Sequence, residues 1–330
     1  MEPSFQRAAG LWTPQKMSRL VESLLIRVPL PAFYFDGTDD NKWLVVDGLQ
    51  RLSTLHRFIV EPDPSARLRL AGLEYLHDLD GHTYDTLPRS MRRRIDETQV
   101  TLHVIRPGTP PEVKYNIFRR INTGGLVLTP QEIRHALNPG PALELLDALA
   151  KSPEFVEATG GTVSAARMLD RELVLRFCAF TLRPPTVPEN VYGNVDRFLT
   201  DTMEILNKSS PKVRDDLKIR FIRSMQAAKA VFGNDAFRKR HFVGAHRHPI
   251  NKALFELWSF LLGQIPKESL HVLVEIRDEI QARHIRLMNE DGFFLAAISQ
   301  GTGDPGKVRY RFRAILALIS EALKAERGDA

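Results

Sequence analysis

Beyond Arg106 the chain carries almost no strand pattern. From Pro110 onward apolar residues recur at helical spacing, at Pro111–Ile121, Thr129–Leu137, Ala142–Ala150, Arg167–Leu182 and Val191–Leu206. The pattern continues through Val213–Phe232, Lys252–Leu262, Ser269–Ile280 and the apolar run Ala314–Leu323. A sheet is therefore confined to the first third, and the remainder must bury its apolar stripes helix against helix. The first third alternates instead. Lys16–Ile26 places Met17, Leu20, Val21, Leu24 and Leu25 on one helical face before Pro29 and Pro31 force an extended exit. Strands are expected at Ala32–Phe35, Trp43–Val46, Arg67–Leu70 and Gln99–Arg106, the last with Val100, Leu102 and Val104 facing one way. Helices are expected at Gln50–Val60 and Pro88–Ile95. The composition shift at Asn138-Pro139-Gly140-Pro141 divides the chain into residues 1–138, an α+β unit with a small sheet, and residues 139–330, mainly α-helical.

With 330 residues, 43% of them hydrophobic, the chain can bury a sizeable core in roughly two domains. Forty-six Lys and Arg against 40 Asp and Glu leave a formal charge of +6, which permits an anionic partner without demanding one. The apolar runs Val174–Leu182 and Leu254–Leu262 are interrupted by Arg176 and Glu256. They fall short of the ~20 residues that span a bilayer, so no membrane partner is expected. Met1–Gly10 carries Glu2 and Arg7 and lacks the apolar core of a secretory signal. The single cysteine, Cys178, lies in an apolar helical run, a core position rather than a nucleophile's, and has no partner for an intrachain disulfide. These features suit a reducing cytoplasm.

The segment richest in chemistry is Val45-Val46-Asp47-Gly48-Leu49-Gln50-Arg51-Leu52. A carboxylate and a glycine at a strand's end, followed by an arginine in the first helical turn, gather backbone N–H groups and a guanidinium around one point suited to an anion. Asp47 at its rim is placed to hold a divalent cation or orient a water, and Gly48 lets a phosphate approach the backbone. The alternative is structural: Asp-Gly is a common turn, and Arg51 pairs with Asp47.

Phe118–Leu126 ends a helix at Asn122-Thr123-Gly124-Gly125, after which Thr129-Pro130-Gln131-Glu132 spells a capping box. Asn122 and Gly124 suit a polar loop touching a ligand, and suit a plain helix end equally. Gln6, Arg7 and Trp12 either pack back onto the body or belong to a loose terminus. Arg238, Lys239, Arg240, Arg247 and Lys252 lie in a stretch without an acid, either a nucleic-acid-binding patch or a solvated basic helix end. His241, His246 and His248 within it match no zinc spacing. Lys307, Arg309, Arg311 and Arg313 alternate with Val308, Tyr310 and Phe312 and read either as a basic strand edge or as the start of the last helix. Neither a Walker-type phosphate loop nor a Gly-x-Gly-x-x-Gly or Gly-x-Ser-x-Gly motif occurs.

Three ordered blocks resemble the N-terminal domain family of the GmrSD-type modification-dependent restriction endonucleases, marked by an Asp-Gly-Gln-Gln-Arg motif. They are Phe5-Gln6-Arg7 with Trp12 and Leu20–Pro31, then Val46–Leu55, then Phe118–Leu137. The resemblance implies a ParB/sulfiredoxin-like fold with a small mixed sheet, and hydrolysis of a nucleoside triphosphate with Mg²⁺ in phage defence. It implicates Asp47, Gln50 and Arg51 in catalysis, with Asp47 as metal ligand. Gln6, Arg7, Gly48, Arg51, Asn122 and Gly124 are its nucleotide-binding residues. The expected partners are the nucleotide, DNA and a separate nuclease subunit, since residues 260–330 show no His-Asn-His-like arrangement. Leu49 departs from the motif by replacing its first glutamine. The competing expectation is a DNA-binding or adaptor module without hydrolysis, and a third is a ParB-like nuclease.

Overall fold

The computed structural model describes residues 12–38, 43–110, 113, 114, 116, 117, 120, 129–185 and 194–327. The chain divides into two compact units, Met1–Leu128 and Thr129–Ala330.

The first unit is mixed α+β, as expected. Helix α1 (Pro14–Leu25) starts with Thr13, whose hydroxyl accepts the Lys16 N–H at 3.3 Å, and with Pro14, which needs no donor there. Strands β1 (Phe33–Asp36), β2 (Leu44–Asp47) and β3 (Leu102–Ile105) form a sheet of order β2-β1-β3, antiparallel between β1 and β2 and parallel between β1 and β3. Helix α2 (Leu49–Leu55) follows β2 directly and continues into one π turn, His56–Val60. Helix α3 (Arg89–Asp96) closes the unit's core, where Met17, Val21, Leu25, Phe58, Leu70 and Ile95 meet and Trp12 packs at the edge.

One expected strand is absent. Arg67–Leu70 buries Leu68 and Leu70 in that core, but its amides go to separate partners, Leu68 to the Arg57 carbonyl at 3.1 Å and Leu70 to that of His82 at 2.9 Å. Two unrelated acceptors cannot make a ladder, so the alternation signalled burial without a sheet. The following loop hangs on α1: the buried Glu22 carboxylate accepts the amides of Glu74, Tyr75 and Leu76 at 2.7–3.0 Å. Val100 and Leu102 share one side of the β3 segment, as expected, but that side is exposed.

The second unit is helical. Its elements are α4 (Pro130–Leu137), α5 (Pro141–Ala150), α6 (Pro153–Thr159), α7 (Leu169–Leu182), α8 (Val195–Lys208), α9 (Pro211–Phe232) and α10 (Lys252–Gln264). Then come α11 (Lys267–Glu275), α12 (Arg277–Glu290), α13 (Gly292–Ala297) and α14 (Pro305–Arg327). Proline stands at the first position of α4, α5, α6 and α9, each time after a residue suited to the cap. The Thr129 capping box is formed: Glu132 N–H donates to the Thr129 hydroxyl at 3.2 Å and Thr129 N–H to the Glu132 carboxylate at 2.6 Å.

The core runs through α7, α9 and α10, with Phe177 and Phe221 ring centroids 5.1 Å apart. The expected single helix Ser269–Ile280 is two, broken at Ile276, whose N–H still reaches the Val272 carbonyl. Lys307–Arg313 is helix, the first half of α14. Within that helical bundle a charged chain runs from Lys252 to Glu172, Arg176, Glu256 and Arg311. Among the described residues no helix is long and apolar enough to cross a membrane.

Candidate functional site

The strand-to-helix turn after β2 is built from backbone geometry outward. Asp47 ends β2 opposite Tyr34 of β1, and Gly48 turns the chain with φ +100°. A Cβ there would stand 2.4 Å from Phe33 Cδ1, so the position needs glycine for its torsion and for the ring beneath it. Four residues beyond Asp47, Arg51 returns over the turn. Its Nη2 donates to Asp47 Oδ2 at 2.7 Å and to the Ala32 carbonyl at 3.2 Å, its Nη1 donates to the Pro31 carbonyl, and its guanidinium lies 4.6 Å from the Phe33 ring centre.

The pair foreseen as the structural alternative is thus made. Arg51 is nearly buried, and its bonded donors fasten the turn to the segment before β1, which makes it a positioning group. Asp47 retains Oδ1 without a partner among the described residues, with its side chain 30% exposed. Gln50 lies in the first turn of α2, and its carbonyl accepts the Thr54 hydroxyl at 2.8 Å. Farther along the same helical run, Leu52, Ser53, His56 and Arg57 line an open groove of about 370 Å³.

Two neighbours escaped sequence reasoning. Tyr34 pairs across the sheet with Asp47 on one side and His103 on the other, and the Tyr34 and His103 rings stack at 4.9 Å. A carboxylate, a phenol and an imidazole therefore occupy adjacent strands beside the turn. Their only sequence signal is a polar aromatic at one position of each strand. Gln6, Arg7, Asn122 and Gly124, expected at the same pocket, lie outside the described residues.

Mg²⁺ fits this site in one way. Asp47 offers a single carboxylate oxygen, and no group of three His, Cys, Asp or Glu that could hold a metal exists among the described residues. That suits an ion bound by one carboxylate plus substrate phosphates rather than a resident metal.

A family model described as "GmrSD restriction endonuclease, N-terminal domain" matches residues 1–138. Those residues are similar to a GmrSD-type N-terminal domain. No curated protein and no solved structure matches the chain. The GmrSD-type match runs past the division at Leu128 and takes in α4.

Outside the GmrSD-type segment, the basic stretch is largely engaged internally. Arg238 is 4% exposed and donates to the carbonyls of His248 and Thr159 and to the Thr162 hydroxyl, so it is a tie rather than a surface cation. Arg240 pairs with Asp235 at 2.5 Å, Lys252 with Glu172 at 2.8 Å, and Lys239 donates to the Ser299 hydroxyl at 2.6 Å. Arg247 bonds the Asn234 carbonyl through Nε at 3.0 Å. Burial pulls the Lys239 ammonium below the ordinary lysine range.

Proposed function

We propose that the chain is a component of a restriction-type defence system whose N-terminal domain binds and hydrolyses a nucleoside triphosphate at the Asp47–Arg51 turn. The family match supports the defence setting. The observation that carries the nucleotide reading is the turn itself: a glycine at φ +100° and a carboxylate oxygen left open at its rim, held in place by a buried arginine.

In this reading backbone N–H groups of the turn meet the phosphates, and Arg51 contributes its positive charge while locking the turn. Asp47 Oδ1 would hold the Mg²⁺ that arrives with the nucleotide, an ion that would offset phosphate charge, or would orient the attacking water, and Gln50 orients the substrate. Water attacks the terminal phosphorus, the bridging oxygen leaves with the nucleoside diphosphate, and inorganic phosphate is released. DNA is the target of the wider system, with cleavage assigned to a separate nuclease subunit.

The test is phosphate release from a nucleoside triphosphate with Mg²⁺. Asp47→Ala should lower the rate by about a hundredfold or more, the usual scale for removing a preorganised charge-stabilising group. Leu49→Gln, which restores the motif's amide, should raise it. Because Arg51→Ala frees the turn from its anchors, Arg51→Lys with a circular-dichroism control is the informative change there. Full activity in Asp47→Ala would sink the hydrolase.

The competing DNA-binding reading retains little free charge in 238–252. If it holds, replacing Lys239 and Arg247 should weaken DNA binding and flatten its salt dependence.

A further inference from the structure

A small cavity of about 20 Å³, room for one water-sized occupant, lies inside the helical unit between Phe232, Asp235, Arg238, Arg240, Trp258 and His284. Three of these side chains present buried polar atoms with no partner: Arg238 Nε, Trp258 Nε1 and His284 Nδ1. Each residue is at most 5% exposed. Buried polar groups are ordinarily satisfied, so three orphans around one cavity are a signal that something sits there.

Their chemistry is one-sided. The Trp258 and Arg238 atoms can only donate, and a neutral imidazole can place its single proton on Nδ1 and donate too. Charge points the same way. The bonds that Arg238 makes go to neutral oxygens, and no carboxylate lies within ion-pair distance of it among the described residues. Asp235, the acid lining the cavity, is taken by Arg240, which leaves one positive charge in excess. Asp235 favours the Arg238 cation only from a distance while Arg247 opposes it. A buried cation without a paired counter-ion is disfavoured, and a water in the cavity would not neutralise it.

We propose that this cavity binds one halide-sized monovalent anion, chloride under ordinary ionic conditions, held by Trp258 Nε1–H, Arg238 Nε–H and His284 Nδ1–H. Burial draws His284 down to about 4, so the imidazole is neutral near pH 7 and the net positive charge comes from arginine. The Trp258 and His284 rings meet edge to face at 5.4 Å, which fixes both donors with little freedom to turn away. The anion therefore acts as a structural counter-ion between α9, α10, α12 and the Arg238 segment.

The full chain should melt at a higher temperature in sodium chloride or bromide than in sodium gluconate at matched ionic strength, with a saturable dependence on halide. Trp258→Phe keeps the ring and removes one donor, so it should raise the half-saturating halide concentration about tenfold, the scale of one lost hydrogen bond. Crystals grown in sodium bromide should show a bromine anomalous peak in the cavity. Equal melting in chloride and gluconate, or a cavity holding only water in bromide crystals, would overturn the assignment. Should Trp258→Phe fail to fold, the bromide peak in the unaltered protein decides alone.

Discussion

At the scale of single residues, Gly48 and Glu22 bear the sharpest expectations. Gly48→Ala adds a methyl in a left-handed torsion and drives it against Phe33, so it should destabilise the first unit by about 2 kcal/mol or more, read by thermal or urea unfolding. Glu22 is titratable in a different sense. Burial alone would raise its carboxyl, but the Glu74, Leu76 and Tyr75 amides outweigh that and hold it below its ordinary 4.5. A group lowered in the folded state contributes stability fully above its unfolded value and loses it as pH falls through the folded one. Unfolding free energy should therefore drop below pH 4.5 in the unaltered chain, and Glu22→Gln should be less stable at neutral pH with a flatter acid limb. Asp47 and Arg51 were legible as a pair because four residues on a turn-to-helix path bring them together. The Phe33 shelf beneath them was not, since the ring comes from a strand far off in sequence and only the folded sheet places it there.

At the scale of elements, a helix start was legible where an apolar face follows a recognisable cap, as with Thr129-Pro130, whereas the helix read from Val213 in fact begins at Pro211 behind the Ser210 cap. Burial without a ladder made Arg67–Leu70 look like a strand. Of the two readings open for the alternation at Lys307–Arg313, the helical one holds, and Arg311, fully buried, inserts toward Glu256 of α10. Glu256 had looked like an interruption in an apolar run, because nothing in local sequence announces a partner on another helix. Burial lowers Arg311 to about 9, still charged near neutrality, so its pairing with Glu256 is what keeps that cation tolerable inside. Removing one partner strands the other. Glu256→Gln should cost about 3 kcal/mol in denaturant unfolding, whereas replacing Glu256 and Arg311 together by Met should recover part of that loss.

At the scale of the whole molecule, Cys178 reports on the second unit. It sits fully buried in α7, and burial pushes its thiol up to about 12. Thiol-labelling rates should therefore follow opening of the helical core and rise in step with denaturant. The change of pattern falls at residue 138, whereas the two compact units meet at Leu128, a difference set by what α4 touches, which no periodicity reveals.

Helix α4 lies within the matched N-terminal segment yet packs against α7 and α8. Its buried Arg134 pairs with Asp196 at 3.0 Å, and Thr129 and Glu132 both bond Arg167. Recombining this N-terminal segment with the helical half of a relative at residue 138 would separate Arg134 from its acid and import a foreign partner for it. A graft joined before Thr129 keeps those bonds intact, so the seam that best preserves stability in a chimera lies ahead of the seam that homology suggests.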